Sequence, residues 1–512
     1  MKYKNTEGKL PNEFKGCAFS GVPGLGMGRN NYVAWGVTLG FTDVQDIYIL
    51  TPDPNNANHY LVDGKSLPLN VTTQTIKTMD AGTVTIQVRN SIFGNILGDS
   101  STLLPAFRWT ANLDNDTSIN GVYSMLLSTN WEEFRTSVNQ IKSVVFNYAF
   151  SDVNGNVGYK LSGLIPIRRE GHTGRYPVKG DTMAYDYDGY VPIEKAPELY
   201  NPPRGYISSA NNRIVPPGYP YLISADYFFD YRQRRIQKLM TDLFKNTTRK
   251  FNVQDMVNIQ LDTYSTIYSE YRFMFVNMSS AVSKLAITKN ATQVKPKPYT
   301  TYLQQVIDWD GYETYTSKEA SLFETFLRFL GTMVSKEMGD ATESTKLPLW
   351  YFYKDAMLRN NDPACLTKGY ATCTDYAASV FVQAVDYLYL KFGYIPMWKE
   401  LHTTPIYHIA GKDTIIIGCL SEILLKTEGG TETVLLNNMD EDFNTNEGPV
   451  YRQIISFDSV TKDRWILPTG NDGNIFSNSY DNMGPLYASG KYLEIKSTTE
   501  ATIQNSYTIV VQ

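Results

Sequence analysis

The sequence predicts an α+β fold of one large domain, with strands at both ends and helices inserted between them. Three observations carry this. β-branched and aromatic runs broken by Gly, Asn and Asp fill the first and last thirds, apolar residues recur at helical spacing in the middle, and 37 Tyr stand against 7 Trp in 512 residues. Tyr suits strands and can end a buried stretch on a hydrogen-bonding tip, so its surplus argues for extensive sheet. No repeat, low-complexity tract or Pro-rich linker divides the chain. The expected division is β-rich over 1–230, mostly helical over 231–400 and β-rich again over 401–512.

In the first part, 32–38, 46–51, 59–63 and 83–89 have the composition of short strands. A helix is expected over 130–142, because Thr129 and Glu132 make a capping box and Trp131, Phe134, Val138 and Ile141 form an apolar stripe. Segments 144–151 and 157–162 then form a hairpin about the Asn154-Gly155 turn. Pro202, Pro203 and Gly205 interrupt the chain before a short strand expected at 205–210, and Asn211 and Asn212 fall where that strand ends. Helical spacing marks 234–244, 253–274, 316–337 and 375–392, the last stopped by Gly393. Strands return at 413–417, 431–436, 450–456, 463–467 and 502–511.

Composition narrows the function. With 47 Lys and Arg against 52 Asp and Glu, the net charge of −5 gives no electrostatic reason to expect nucleic acid or an anionic membrane as partner. The basic run Arg232, Arg234, Arg235, Lys238 is one turn of a solvated or ion-paired helix. Only 4 His are present, none in an HExxH pattern, which argues against zinc chemistry. His402 sits in polar surroundings, and His408, among apolar neighbours, is the expected core histidine. No stretch is apolar and long enough for a membrane span, and the polar opening residues contain no apolar core of a signal peptide. Cys365 and Cys373 are spaced for a local disulfide or are two unrelated buried thiols. The glycines of Pro23-Gly-Leu-Gly-Met-Gly lead into a strand-like run rather than a helix, so they mark a tight turn and not a dinucleotide loop.

Two further features bear on chemistry. Asn211 and Asn212 are either a turn pair, since Asn tolerates left-handed backbone, or the source of a carboxamide donor for a developing oxyanion. Asp43 and Asp46, with the Gln45 carbonyl between them, are either turn acids or oxygen ligands for Ca²⁺ completed from elsewhere. No Ser/His/Asp or Cys/His set can be assembled from the sequence.

Taken together, several long segments resemble the penicillin acylase family of N-terminal-nucleophile amidohydrolases, and specifically its large catalytic chain. The likeness runs from NNYVAWGVTLGFTDVQDIYI at 30–49, through FSDVNGNVGYKLSGLIPIRREGHTGRYPVKG at 150–180 and the Tyr-rich stretch at 200–236, to GPVYRQIISFD at 448–458 and DRWILPTGNDGN at 463–474. The resemblance implies a four-layer αββα sandwich of antiparallel sheets with a helical insertion. It implies hydrolysis of a linear amide through an acyl-enzyme, with the first residue of the large chain as nucleophile and its own α-amino group as base.

The same resemblance assigns residues. The oxyanion donors fall at the Leu39 backbone N–H and the Asn211 carboxamide. The arginine that organises the polar network maps onto Arg232, with Arg234 and Arg235 as neighbouring placements. Met27 and Val37 fall at acyl-pocket positions, or are ordinary core. A structural Ca²⁺ would take Asp43, the Gln45 carbonyl, Asp46, the Gly174 carbonyl and Asp226, plus a carboxylate from a small chain of the same precursor. The implied partners are that small chain and an N-acyl amide, in a secreted or lumenal parent. One departure is at the front: Met1 and Lys2 cannot serve as the nucleophile, so this chain alone is expected to be inactive. It is then either a truncated record of an active amidohydrolase or a catalytically dead relative that binds an acyl amide or a protein. A second departure is Ser479, where the family often has His.

Overall fold

The computed structural model describes residues 11, 13–78, 81–98, 103–225, 227, 229–245, 249–291, 296–337, 370–408, 422–458 and 462–495, with the backbone alone over 332–337. The chain divides into two compact units, Met1–Phe228 and Phe229–Gln512.

The first unit is built on two sheets, antiparallel apart from the short strand Val178–Lys179, which pairs in parallel with Tyr48 and Ile49. Its leading strands are β1 (Lys15–Cys17), β2 (Met27–Arg29), β3 (Val33–Leu39), β4 (Gln45–Pro52), β5 (His59–Val62) and β6 (Lys65–Pro68). They are followed by β7 (Asn70–Thr78), β8 (Gly82–Ser91), β9 (Gly94–Ile96), β10 (Leu104–Trp109), β11 (Phe146–Asp152) and β12 (Val157–Leu161). One sheet runs β1-β2-β3-β11-β12 and ends on the strand Glu198–Tyr200; the other runs β6-β5-β4-β10-β9-β8-β7. The four strands expected in this region are all present to within a residue or two at their ends, and the β11–β12 hairpin turns at Gly155, whose φ of 86° needs no Cβ.

Alternation along β3 sorts its side chains between two faces. Val33 and Trp35 join Phe14, Trp131, Phe134, Tyr148 and Phe150 in one buried cluster, covered by the helices α1 (Ser118–Leu127) and α2 (Trp131–Val138). Phe134 and Phe150 lie 5.0 Å apart between ring centroids, and Trp131 meets Phe150 edge-on at 5.2 Å. Each such ring removes enough apolar surface from water to stabilise the layer by roughly 1.5–3 kcal/mol. The fit admits no extra carbon at Gly158, where a Cβ would lie 2.4 Å from the Trp131 ring.

Local chemistry corrects two expectations here. The cap of α2 is Asn130, whose side chain accepts from the Glu133 N–H, and not Thr129. The Thr129 N–H and hydroxyl instead both donate to the Glu133 carboxylate, at 2.8 and 3.0 Å, so the capping pair sits one residue later than the sequence suggests. Residues 205–210 form no strand. The sheet already ends on Glu198–Tyr200, and this segment is held by side chains, among them Ser209 on Thr38 at 2.7 Å.

The second unit is helical in its first part: α3 (Tyr231–Phe244), α4 (Val253–Gln260), α5 (Thr266–Asn277), α6 (Ser279–Ala291), α7 (Tyr299–Asp308), α8 (Lys318–Glu337), α9 (Cys373–Phe392) and α10 (Trp398–Leu401). Tyr268, Phe275, Phe323, Phe326, Phe381 and Trp398 centre its core. The single helix expected over 253–274 is two helices, because Asp262 turns aside to pair with Arg235 at 2.7 Å and Ser265 starts α5 by accepting from the Tyr268 N–H. Residues 431–436 are a turn rather than a strand, with Glu432 at φ 60° and the Thr433 hydroxyl bonded to the Leu435 carbonyl at 2.7 Å. The expected strands at 413–417 and 502–511 lie outside the described residues.

The histidines exchange their expected settings. His402 is the core histidine, fully buried, stacked on Trp398 at 4.7 Å and bonded through Nδ1 to the Phe443 carbonyl at 2.8 Å, whereas His408 is only half-buried. Cys373 is disulfide-bonded, and Cys365 lies outside the described residues. Among the described residues no helix is long and apolar enough to cross a membrane.

Because Asn130 carries the cap, Asn130→Ala is expected to lower stability by about 1 kcal/mol in urea denaturation, and Thr129→Ala by less. The opposite ranking would return the cap to Thr129.

Candidate active site

The face of β3 turned away from α1 and α2 presents Thr38, and beside it on β11 lies Asn147, paired with Thr38 across the ladder. Asn147 is almost fully buried, at 2% exposure. Its carboxamide oxygen accepts from the Tyr159 hydroxyl at 2.7 Å, while its nitrogen donates to Thr38 Oγ1 and the Leu39 carbonyl, both at 3.1 Å, and reaches Ser209 Oγ at 3.3 Å. Burial, with Tyr227 and Tyr219 nearby, pushes the Tyr159 phenol well above its ordinary range, so it remains a donor.

This knot brings Leu39 and Asn211 together. Asn211 sits in left-handed backbone at φ 62°, and its carboxamide nitrogen donates to the Leu39 carbonyl at 2.9 Å. Leu39 faces Phe146 across the ladder, but the Phe146 N–H donates to Ser162 Oγ and its carbonyl accepts from the Ser162 N–H, both at 3.0 Å. The next bond between β3 and β11 runs from the Gly40 N–H to the Val145 carbonyl. Alternation in an antiparallel ladder therefore turns the Leu39 N–H away from β11, beyond the point where β2 has ended. Leu39 is half exposed there, so a backbone donor and a carboxamide donor lie at an accessible strand end.

The acyl-pocket pair divides. Gly28 of β2 is opposite Trp35, so Met27 lies on the other face, that of Gly36 and Thr38. Val37 packs instead against the Trp35 cluster.

The calcium positions gather about a protein cation that sequence reasoning missed. Arg168 donates through Nε to Asp46 Oδ2 and through Nη2 to the Asp43 carbonyl, both at 2.9 Å, and Gly174, at φ 76°, has no Cβ to strike its guanidinium. Asp46 also accepts from Tyr187 at 2.6 Å and meets His172 Nε2 at 3.0 Å. Burial alone would raise the Asp46 carboxyl, but the His172 hydrogen bond and the Arg168 charge hold it below the usual carboxylate value. Asp43 Oδ2 accepts from the Ala225 N–H at 2.7 Å, Gln45 opens β4, and Asp226 lies outside the described residues.

In the second unit Arg232 is buried on α3, with Nε 3.2 Å from Glu432 Oε2. Arg234 pairs with Asp230 and Glu270, and Arg235 with Asp262, so these neighbours are committed to ion pairs.

The sequence model of one family, described as penicillin amidase, matches residues 7–504. The chain belongs to the penicillin amidase family. Relatives include a penicillin G acylase of Escherichia coli, 33% identical over 192 residues, which is 37% of this chain and 22% of that protein. Another is the acyl-homoserine lactone acylase QuiP of Pseudomonas syringae pv. syringae, 23% identical over 517 residues, 94% of this chain and 60% of that protein. The chain thus spans less than two thirds of the length of either relative. A solved structure of a thermostable penicillin G acylase from Alcaligenes faecalis superimposes with a TM-score of 0.72 at 16% identity, covering 99% of this chain and 95% of that one. The fold is therefore the α+β, N-terminal-nucleophile arrangement of a penicillin amidase.

Within this penicillin amidase chain, Asn147, Ser209 and Arg168 carried no signal that composition or spacing could expose, since each acts through partners far away in sequence. Removing Asn147 would strand the Tyr159 hydroxyl and unpin Leu39. Asn147→Ala is expected to cost about 1–3 kcal/mol, while Asn211→Gly, which keeps the left-handed backbone easy, should cost only a few tenths. Urea titration of both variants decides this, and equal losses would remove Asn147 from its structural role.

Proposed function

We propose that this chain carries the oxyanion-binding part of a hydrolase of linear amides that works through an acyl-enzyme. The observation that supports it most is the juxtaposition of Leu39 and Asn211. A backbone N–H and a carboxamide N–H, positioned in advance by buried partners, stabilise charge where it develops on a carbonyl oxygen, at no cost of reorganisation during the reaction.

The chemistry requires a Ser, Thr or Cys with a free α-amino group. That nucleophile adds to the amide carbonyl while its proton passes to the α-amine, and the carbonyl oxygen becomes the oxyanion. Collapse expels the amine, which takes the proton, and water then releases the acid. Met27, on the face of Thr38, suits an apolar acyl group. In a preparation carrying such a nucleophile, Asn211→Gly, which removes the carboxamide and keeps the left-handed backbone easy, is expected to lower kcat by about 10²–10³ with little change in stability. Unchanged turnover would sink the oxyanion assignment. Failure of any reactive ester to acylate that preparation would favour a protein that binds the acyl amide without turning it over.

Calcium enters as a structural clip. Asp46 uses three of its four lone-pair positions on protein donors, one of them Arg168, so it fits the ion through a single Oδ1 position. Asp43, the carbonyls of Gln45 and Gly174, and Asp226 would supply the remaining oxygens. Millimolar Ca²⁺ is expected to raise the melting temperature over that in chelator, and Asp46→Asn to reduce the gain. Identical melting in both would mean that Arg168 suffices as the cation.

A further inference from the structure

Deep in the second unit lies a pair of carboxyl groups with no part in the chemistry above. Glu313, on the loop between α7 and α8, is fully buried, and Glu324, in α8, is 3% exposed. The polar side chains that bear on Glu313 are the Glu324 carboxyl and the Ser265 hydroxyl. Neither Glu313 oxygen has a hydrogen bond of good geometry among the described residues, and the Ser321 and Thr325 hydroxyls, flanking Glu324 on α8, are likewise buried without one. Among those residues, too, no group of three His, Cys, Asp or Glu could hold a metal ion. Two adjacent carboxylates cannot both be ionised in such a place without a large electrostatic cost.

The pair sits at a junction of backbone segments. The Glu313 N–H donates to the Thr263 carbonyl at 3.0 Å, and its carbonyl accepts from the Gly429 N–H at 2.9 Å. Its carboxyl rests on Gly430, where a Cβ would lie 2.2 Å from Oε2. The Trp398 indole N–H donates to the Gly429 carbonyl at 3.0 Å, and the Glu428 carboxylate takes the Tyr315 N–H at 3.1 Å. The same segment carries Glu432, the counter-ion of Arg232.

We propose that Glu313 and Glu324 hold one proton between them, and that this proton latches residues 428–437, and with them the Glu432–Arg232 pair, in place. When the proton leaves to solvent, two buried negative charges face each other and the Gly429–Gly430 backbone loses its seat. The latch goes beyond the amide-hydrolase reading and stands whether or not that reading holds.

The sign of the effect follows. Burial first, and then Glu324, push the Glu313 carboxyl well above the usual range. The stabilising contribution is therefore complete below the unfolded value of about 4.3 and is lost as pH rises through the folded one. Glu432, raised by burial against the Arg232 charge, acts in the same direction. His402, on Trp398, is pushed down to about 4 by burial and acts oppositely, losing stability as pH falls below about 6.5. The difference between the wild-type chain and Glu313→Gln isolates the pair.

Melting of the full chain should fall by about 2 °C per pH unit more in wild type than in Glu313→Gln as pH rises from about 4.3 towards the raised folded value. The Trp398 indole N–H resonance should titrate in wild type and stay fixed in the variant. Parallel melting profiles, or an indole resonance that titrates alike in both, would overturn the latch. If Glu313→Gln does not fold, Glu324→Gln gives the same comparison, and the infrared band of a protonated carboxyl at neutral pH should be present in wild type and lost in Glu324→Gln. Absence of that band in wild type, or a pH profile abolished by added Ca²⁺, would equally overturn it.

Discussion

One buried carboxamide sets the geometry on which the site depends. Asn147 links β3, β11, β12 and the segment bearing Ser209 through four polar contacts. An amide in an apolar interior is costly unless both of its ends are bonded, and here both are. The same contacts hold the Leu39 carbonyl, to which Asn211 also binds. The strand end is thus fixed from the β3 ladder on one side and by two carboxamides on the other, leaving the Leu39 N–H with little freedom of direction.

Each unit buries charge as well as apolar rings. In the first unit Asp46 is surrounded by Arg168, His172 and Tyr187, which satisfy it almost completely. In the second, Glu432 takes Arg232 from a left-handed backbone position. Buried ion pairs add little net stability relative to apolar packing, but losing one partner is expensive, so they restrict which conformations the chain can adopt. The first ties β4 to the short strands that carry Arg168 and Tyr187 and to the loop at His172, and the second ties α3 to the turn at Glu432. The shared proton inferred for Glu313 and Glu324 belongs to the same pattern, with a proton in place of a basic side chain.

The strands and the main helices were legible because their periods are local: alternation in 33–39 and 146–152, and the apolar stripe of α8, need no distant information. The family likeness added Leu39 and Asn211, and the structure brings the two together. What the sequence concealed was of two kinds. Helix boundaries shifted where a side chain found a better partner, as when Asp262 left the helical pattern for Arg235. Site residues such as Asn147, Ser209 and Arg168 were invisible because their meaning lies mainly in contacts such as Asn147–Ser209, Asn147–Thr38 and Arg168–Asp46, between residues 62 or more positions apart, which no window along the chain contains. Thr129 and Asn130 show the finer limit: both are good caps, and it is Asn130 whose side chain accepts from the Glu133 N–H.

The proposed chemistry requires Leu39 and Asn211 to act as one anion-binding pair. It is tested most directly by titrating the chain with a tetrahedral phosphonate mimic of an N-acyl amide while following the Leu39 amide and Asn211 carboxamide resonances. Both should move downfield together with a single binding constant, and Asn211→Ala should abolish the Leu39 shift. Binding that leaves both resonances in place, or moves one without the other, would contradict the account.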